Sequence, residues 1–155
     1  MNTYMLLKTL HILSSTLLFG TGLGSAYYAW RAWRNGSIEV IAVTFRHLVT
    51  ADWLFIATSA VFQPASGVAM AHLAGLPLTQ GWLLWTLCLY VLAGICWLPV
   101  VWLQVQVRDM AVVALREGTP LPPRAFRFMR WWFALGWPAF IAFMAIFYLM
   151  VNKGF

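Results

Sequence analysis

Three histidines are the residues best equipped for chemistry in this chain. His11 falls inside a long apolar stretch, and an ionisable group at membrane depth is a functional candidate by default. Ser14, Ser15, Leu18 and Gly22 follow it at spacings of three, four, seven and eleven, which helical periodicity places on one face. His72 lies near the end of a second apolar stretch. Two imidazoles from two helices, one on each side of a porphyrin, would make a low-spin b haem site. His11 and His72 are then the expected iron ligands, with Ser15 and Gly22 lining the cofactor. Their expected depths differ by roughly 5–8 Å, a gap that helix tilt or a kink at Pro64 would close. The plainer readings are a structural hydrogen bond or a proton or quinone role for His11, and an interfacial, water-facing place for His72. His47, beside Arg46, belongs to the opposite side and reads as a surface residue.

Little else in the chain resembles a reaction centre. There is no nucleophile elbow, phosphate loop, HExxH or CxxC, and no paired acids within a span, which argues against phosphoryl transfer and metalloprotease chemistry. The glycines of Gly20-Thr21-Gly22-Leu23-Gly24 are not a dinucleotide fingerprint, because they lie within a helix and follow no strand. They read either as a close helix–helix approach through Gly20 and Gly24 or as a smooth wall against a flat ligand. Cys88 and Cys96 stand eight residues apart on one helix, about 12 Å along its axis, too far for a disulfide. Met5 near His11 and Met70 near His72 suggest copper capture, but no MxxM cluster supports it. Gln63, just before Pro64, is the deepest amide and is expected to satisfy backbone or ligand groups.

The elements that must position these residues are membrane helices. Of 155 residues, 63% are hydrophobic and 9% charged, against about 25% charged in an ordinary soluble domain. Lipid is the solvent that suits this composition. Spanning hydrocarbon takes about 20 apolar residues, and the stretches 4–30, 53–73, 82–104 and 131–151 qualify. The expected fold is a single all-α integral membrane domain over 1–155, a bundle of four transmembrane helices. Pro64, Pro99 and Pro138 fall inside the last three spans and should kink them. The N-terminal stretch could pass for a cleaved signal peptide, but the interfacial Tyr27, Tyr28, Trp30 and Arg31 that follow mark a retained helix.

The net charge is +6, and eight of the ten Lys and Arg lie in the first and third links: Arg31, Arg34, Arg46, Arg108, Arg116, Arg124, Arg127 and Arg130. Lys8 and Lys153 lie near the termini, and the second link has neither Lys nor Arg. Charge confined to alternate links sets topology rather than nucleic-acid binding. It predicts both termini on the outer, periplasmic side of a bacterial inner membrane. Trp30, Trp33, Trp53, Trp82, Trp131 and Trp132 stand where interfacial belts are expected. Arg46 and Asp52 read as an interfacial charge pair or helix cap, and Arg108 with Asp109 likewise. The link Gln104–Arg130 reads as a helical extension to about Glu117, then a break at Gly118-Thr119-Pro120.

The opening Leu7-Lys8-Thr9-Leu10-His11-Ile12-Leu13, followed by Leu18-Phe19-Gly20-Thr21-Gly22-Leu23-Gly24-Ser25, resembles a bacterial family of predicted integral membrane proteins of this length, the domain of unknown function 2269. The resemblance covers nearly the whole chain. More distantly, Lys8, His11 and Ile12 resemble the start of the four-helix membrane protoporphyrinogen oxidases. So do the segment Ser66-Gly67-Val68-Ala69-Met70-Ala71, the pair Trp82-Leu83 and the run Phe126-Arg127-Phe128-Met129. That likeness implies b haem with His11 as a ligand. The family's lysine in the third helix falls near Thr86 here, and its later histidine has no counterpart around Ile95-Cys96-Trp97, so the oxidase activity itself does not carry over.

The leading expectation is therefore a haem-b-binding redox or electron-transfer protein of the membrane, acting on quinol or porphyrin. A non-enzymatic accessory subunit or assembly factor within a homo-oligomer or larger complex is the alternative, and a small transporter the third.

Overall fold

The computed structural model describes residues 3–152, so Lys153 lies outside the described residues. It consists of four long helices: Thr3–Asn35, Ile38–Leu73, Gly81–Glu117 and Pro123–Val151. All four are long and apolar enough to cross a membrane. The connections are short. Gly36, Gly75 and Gly118 carry the chain round each turn with φ of 75°, 67° and 65°, a left-handed conformation that only glycine adopts cheaply. At Gly118 the next amide, Thr119 N–H, bonds back to the Ala114 carbonyl at 3.0 Å, closing the helix end as this motif does elsewhere. The helical extension to Glu117 and the break after it match the sequence reading.

Two helices begin earlier than hydropathy predicts. Residues 38–51 are helical and continuous with the second span, with Ser37 capping the start through its side chain. The fourth helix starts at Pro123, where a fixed φ and a missing N–H suit the first turn. At about 1.5 Å per residue the second helix is roughly 54 Å long, well beyond the ~30 Å hydrocarbon core. Its extension packs against protein rather than lipid, so the strong apolar run of a span is not required there. Ile41, Ala42, Phe45, Leu48 and Val49 are buried on one side of it.

Consecutive helices pack side by side, and of the neighbouring pairs round the bundle the first and fourth meet least. The larger core lies at the arginine-rich end, where Ala29, Ile41, Phe45, Leu103, Val107, Ala111, Met129 and Trp132 pack together. Alanines at the contacts let the backbones approach closely, which is how helices associate without a hydrophobic drive between them. A smaller cluster of Ala71, Trp82 and Leu83 sits at the other end. Between these two packed ends the bundle is open.

The second helix is not uniform. Residues 52–57 form a π-helical stretch that begins at Asp52. Such insertions shift the register of a helix and concentrate at functional sites. Thr58 Oγ1 donates to the carbonyls of Leu54 at 2.6 Å and Phe55 at 3.3 Å, satisfying backbone groups at its end.

Candidate functional site

The most polar feature of the interior is a three-residue chain across three helices. Asp52 on the second, Gln104 on the third and Trp132 on the fourth are 3%, 1% and 5% exposed. Trp132 Nε1–H donates to Gln104 Oε1 at 3.1 Å, and Gln104 Nε2–H donates to Asp52 Oδ2 at 2.8 Å. An indole nitrogen is donor only, so the Gln104 atom facing it must be the oxygen, and the amide nitrogen is thereby turned to the carboxyl group. The fourth helix thus orients, through one glutamine, the hydrogen bond made to an acid on the second.

This corrects three expectations. Asp52 stands at the end of the 38–51 helix, where its N–H bonds back to Leu48 and Val49, but its side chain does not pair with Arg46; it is buried and bonded to Gln104, and Arg108–Asp109 at 2.8 Å, as expected, is the ion pair among the described residues. Trp132 is not part of an interfacial belt, because its indole is buried and bonded to Gln104. Trp53 and Trp131 are exposed as a belt requires, whereas Trp82 is buried.

Asp52 and Gln104 form one end of a cavity of about 610 Å³, lined by residues of all four helices. Leu18, Phe19 and Gly22 come from the first, Ile56 and Ala60 from the second, Tyr90, Ala93, Gly94 and Trp97 from the third, and Gly136, Phe140 and Phe143 from the fourth. Asp52 is its one charged lining residue, and neither Lys nor Arg lines it. The lining residues Leu23, Leu98 and Trp137 are 51%, 65% and 64% exposed. Leu23 and Trp137 belong to the first and fourth helices, the most loosely packed of the four neighbouring pairs round the bundle. That places an opening of the cavity on the lipid-facing surface at this seam. Phe19 stacks on Phe140 at 5.6 Å and meets Phe147 edge-on at 5.3 Å across it.

Glycines make the room. A Cβ built on Gly22, Gly94 or Gly136 meets nothing within 4 Å, and all three line the cavity. Gly20 and Gly24 also face open space, so the glycine run does not mediate close helix packing. Two polar groups of the cavity wall differ in their state. Tyr90 Oη–H donates to the Ala60 carbonyl at 2.6 Å. Pro64, four residues on, has no N–H to offer that carbonyl, so the tyrosine takes the place of a missing helical bond. Trp97 Nε1–H, by contrast, is buried with no partner among the described residues.

The histidines lie elsewhere. His11 packs against the second helix: its Nδ1 is 2.7 Å from Ser66 Oγ, and its Cε1 lies 3.6 Å from the position of a Cβ on Gly67. Gln63 Nε2–H donates to the His11 carbonyl at 2.8 Å, the backbone role its sequence position suggests. Ser66 Oγ is also 2.7 Å from the Phe62 carbonyl. Ser66 has one proton, and a carbonyl can only accept. With the Gln63 carbonyl also 3.1 Å away, Ser66 O–H is directed at these carbonyls, and His11 Nδ1–H then donates to Ser66 Oγ. That tautomer leaves the Nε2 lone pair unused.

The remaining expected site residues do not gather around His11. His72 is exposed at the last turn of the second helix. It stands six residues past Ser66, about 9 Å further along the axis and about a third of a turn away. Ser15 is half-buried and spends its hydroxyl on the Ile12 carbonyl at 2.8 Å. Gly22 lines the mid-bundle cavity instead, about 16 Å along the helix from His11. Ser14, one turn from His11, is buried with its hydroxyl unpartnered among the described residues. His47 is exposed, Cys88 is exposed and Cys96 buried, and both thiols are free. Among the described residues no group of three or more His, Cys, Asp or Glu is placed to hold a metal ion.

Sequence reasoning missed the Asp52–Gln104–Trp132 chain. The available signal was the hairpin register: Asp52 lies 21 residues before the second helix ends at Leu73 and Gln104 23 residues after the third begins at Gly81, so antiparallel helices bring them nearly level.

No curated protein and no solved structure matches the chain. A family model does, over residues 5–154, nearly the whole length of the bundle just described; the chain belongs to that family, the predicted integral membrane proteins designated DUF2269.

Proposed function

We propose that this protein is a membrane-embedded binding protein for a lipid-soluble molecule, which reaches the mid-bundle cavity sideways from the bilayer between the first and fourth helices. One observation carries the reading: an apolar cavity of about 610 Å³ ends on a single buried acid, Asp52, whose hydrogen bond is set by Gln104 and Trp132. Ligand sites are mostly apolar with a few fixed polar groups, and an acid at membrane depth is costly enough to mark function. The absence of lining Lys or Arg favours a neutral head group over a phosphate or carboxylate. The test is mass spectrometry of organic extracts from detergent-purified protein. The wild type is expected to retain one lipid-soluble species that Gly94→Leu, whose side chain would obstruct the cavity at mid-length, does not. Equal extracts from both would sink the reading.

The same reading includes an orientation. The arginine-rich end faces the cytoplasm and both termini lie on the periplasmic side of a bacterial inner membrane, supported by the placement of eight of ten Lys and Arg in the first and third links.

A second reading is a b haem bound through His11. It is favoured by the His11–Ser66 contact, which fixes the ring and leaves Nε2 available in the way partners of ligating histidines do. His72 would not supply the other axial position, so the haem would be held on one side only. Protein purified from haem-replete cells should then show a Soret band that His11→Ala removes; a colourless preparation contradicts it.

A further inference from the structure

We propose that the occupant of the cavity is a neutral quinone or quinol, recognised at two points by Asp52 and Trp97; this rests on reading the cavity as a ligand site. Asp52 Oδ2 is taken by Gln104, and the hydrogen bonds among the described residues leave Oδ1 without a partner. Trp97 Nε1–H is buried in the cavity wall and has no partner among the described residues. A buried donor left unsatisfied costs about 1–3 kcal/mol, a cost that a bound molecule's acceptor would offset once the indole turns toward the cavity.

Trp97 and Gln104 are seven residues apart on one helix, hence on one face and about 10.5 Å apart along its axis. Gln104 holds Asp52 from the facing second helix, so the acid stands about two helical turns from the level of Trp97. A six-membered ring carrying oxygens at opposite positions offers one polar atom toward each level. Such a ring accepts from Trp97 at one oxygen and, as the quinol, donates to Asp52 Oδ1 at the other. Tyr90, Phe140 and Phe143 supply aromatic surface beside it, and an isoprenoid tail leaves through the seam at Leu23 and Trp137. Phospholipids and porphyrins do not suit this place, because their anionic groups would find no cation in the wall.

The experiment is calorimetric titration of detergent-purified full-length protein with a short-tailed ubiquinone and its quinol. Wild type, Trp97→Phe and Gly94→Leu are compared. Saturable binding near one per chain is expected, weakened about tenfold in Trp97→Phe, which keeps the aromatic shape but removes the donor, and absent in Gly94→Leu. Unchanged affinity in Trp97→Phe overturns the two-point recognition. Failure of quinone binding, while organic extracts still show a different lipid displaced by Gly94→Leu, overturns the quinone assignment and leaves the cavity a ligand site. No binding, and no extracted species that Gly94→Leu displaces, overturns both.

Discussion

The Tyr90 hydroxyl donates to the Ala60 carbonyl at 2.6 Å, and that carbonyl is the one Pro64 leaves without a helical donor. A proline in the second helix is thus tolerated because a hydroxyl of the third replaces the missing N–H donor. Tyr90→Phe should destabilise the bundle by about 0.5–2 kcal/mol, the range for interhelical hydrogen bonds in membranes. Pro64→Ala restores the backbone donor, so in that background Tyr90→Phe should cost little. Thermal unfolding of the four proteins in one detergent checks the cycle; equal losses in both backgrounds would show that the contact does not compensate for the proline.

Gln104 is bonded on both sides, so its removal should cost more than the loss of either neighbour alone. Gln104→Leu leaves Asp52 Oδ2 and Trp132 Nε1 unpartnered in an apolar interior, and a loss of about 2–4 kcal/mol is expected. Trp132→Phe should be milder. Combined with Gln104→Leu it should add less than its own single effect, because the orphaned indole is then gone. Chemical unfolding of the single and double variants measures this, and strict additivity would count against the chain of bonds.

These two sites differ in how far the sequence reveals them. The four spans are legible because lipid imposes a length and a polarity that few other folds share. Pro64 and its neighbour Gln63 are visible as features of one segment, and Gln63 does meet backbone, at His11. Asp52, Gln104 and Trp132 each look like ordinary residues at the edge of a span. Their relation joins positions 52 and 28 residues apart, and hydropathy carries no information on which faces of two helices meet. The helix over 38–51 was legible only in part, as the Ile38–Phe45 stretch that extends the second helix, since its burial is against protein.

The cavity glycines permit a test in which stability and binding move in opposite directions. Gly94→Ala and Gly136→Ala should each stabilise the helix by up to about 1 kcal/mol, because the added Cβ meets nothing within 4 Å. Both should also lower ligand retention, since the methyl group projects toward the cavity wall. Gly118→Ala should instead destabilise by about 1–2 kcal/mol, because its φ is 65°. Melting temperatures of the three variants decide this; destabilisation by Gly94→Ala would mean that the cavity closes in the membrane.

The proposed orientation predicts the behaviour of introduced cysteines in a background lacking Cys88 and Cys96. Thr119→Cys, in the link after the third helix, should resist a membrane-impermeant maleimide in intact spheroplasts and react after permeabilisation. Thr79→Cys, in the turn before the third helix, should react in both. The reverse pattern inverts the topology.

The most direct measurement for the central claim is a crystal structure of the protein grown from a lipidic mesophase without added ligand. Elongated non-protein density is expected in the mid-bundle cavity. It should touch Asp52 at its polar end and run out to lipid between Leu23 and Trp137. First and fourth helices packed closely together, with no space left beside Asp52, would contradict it.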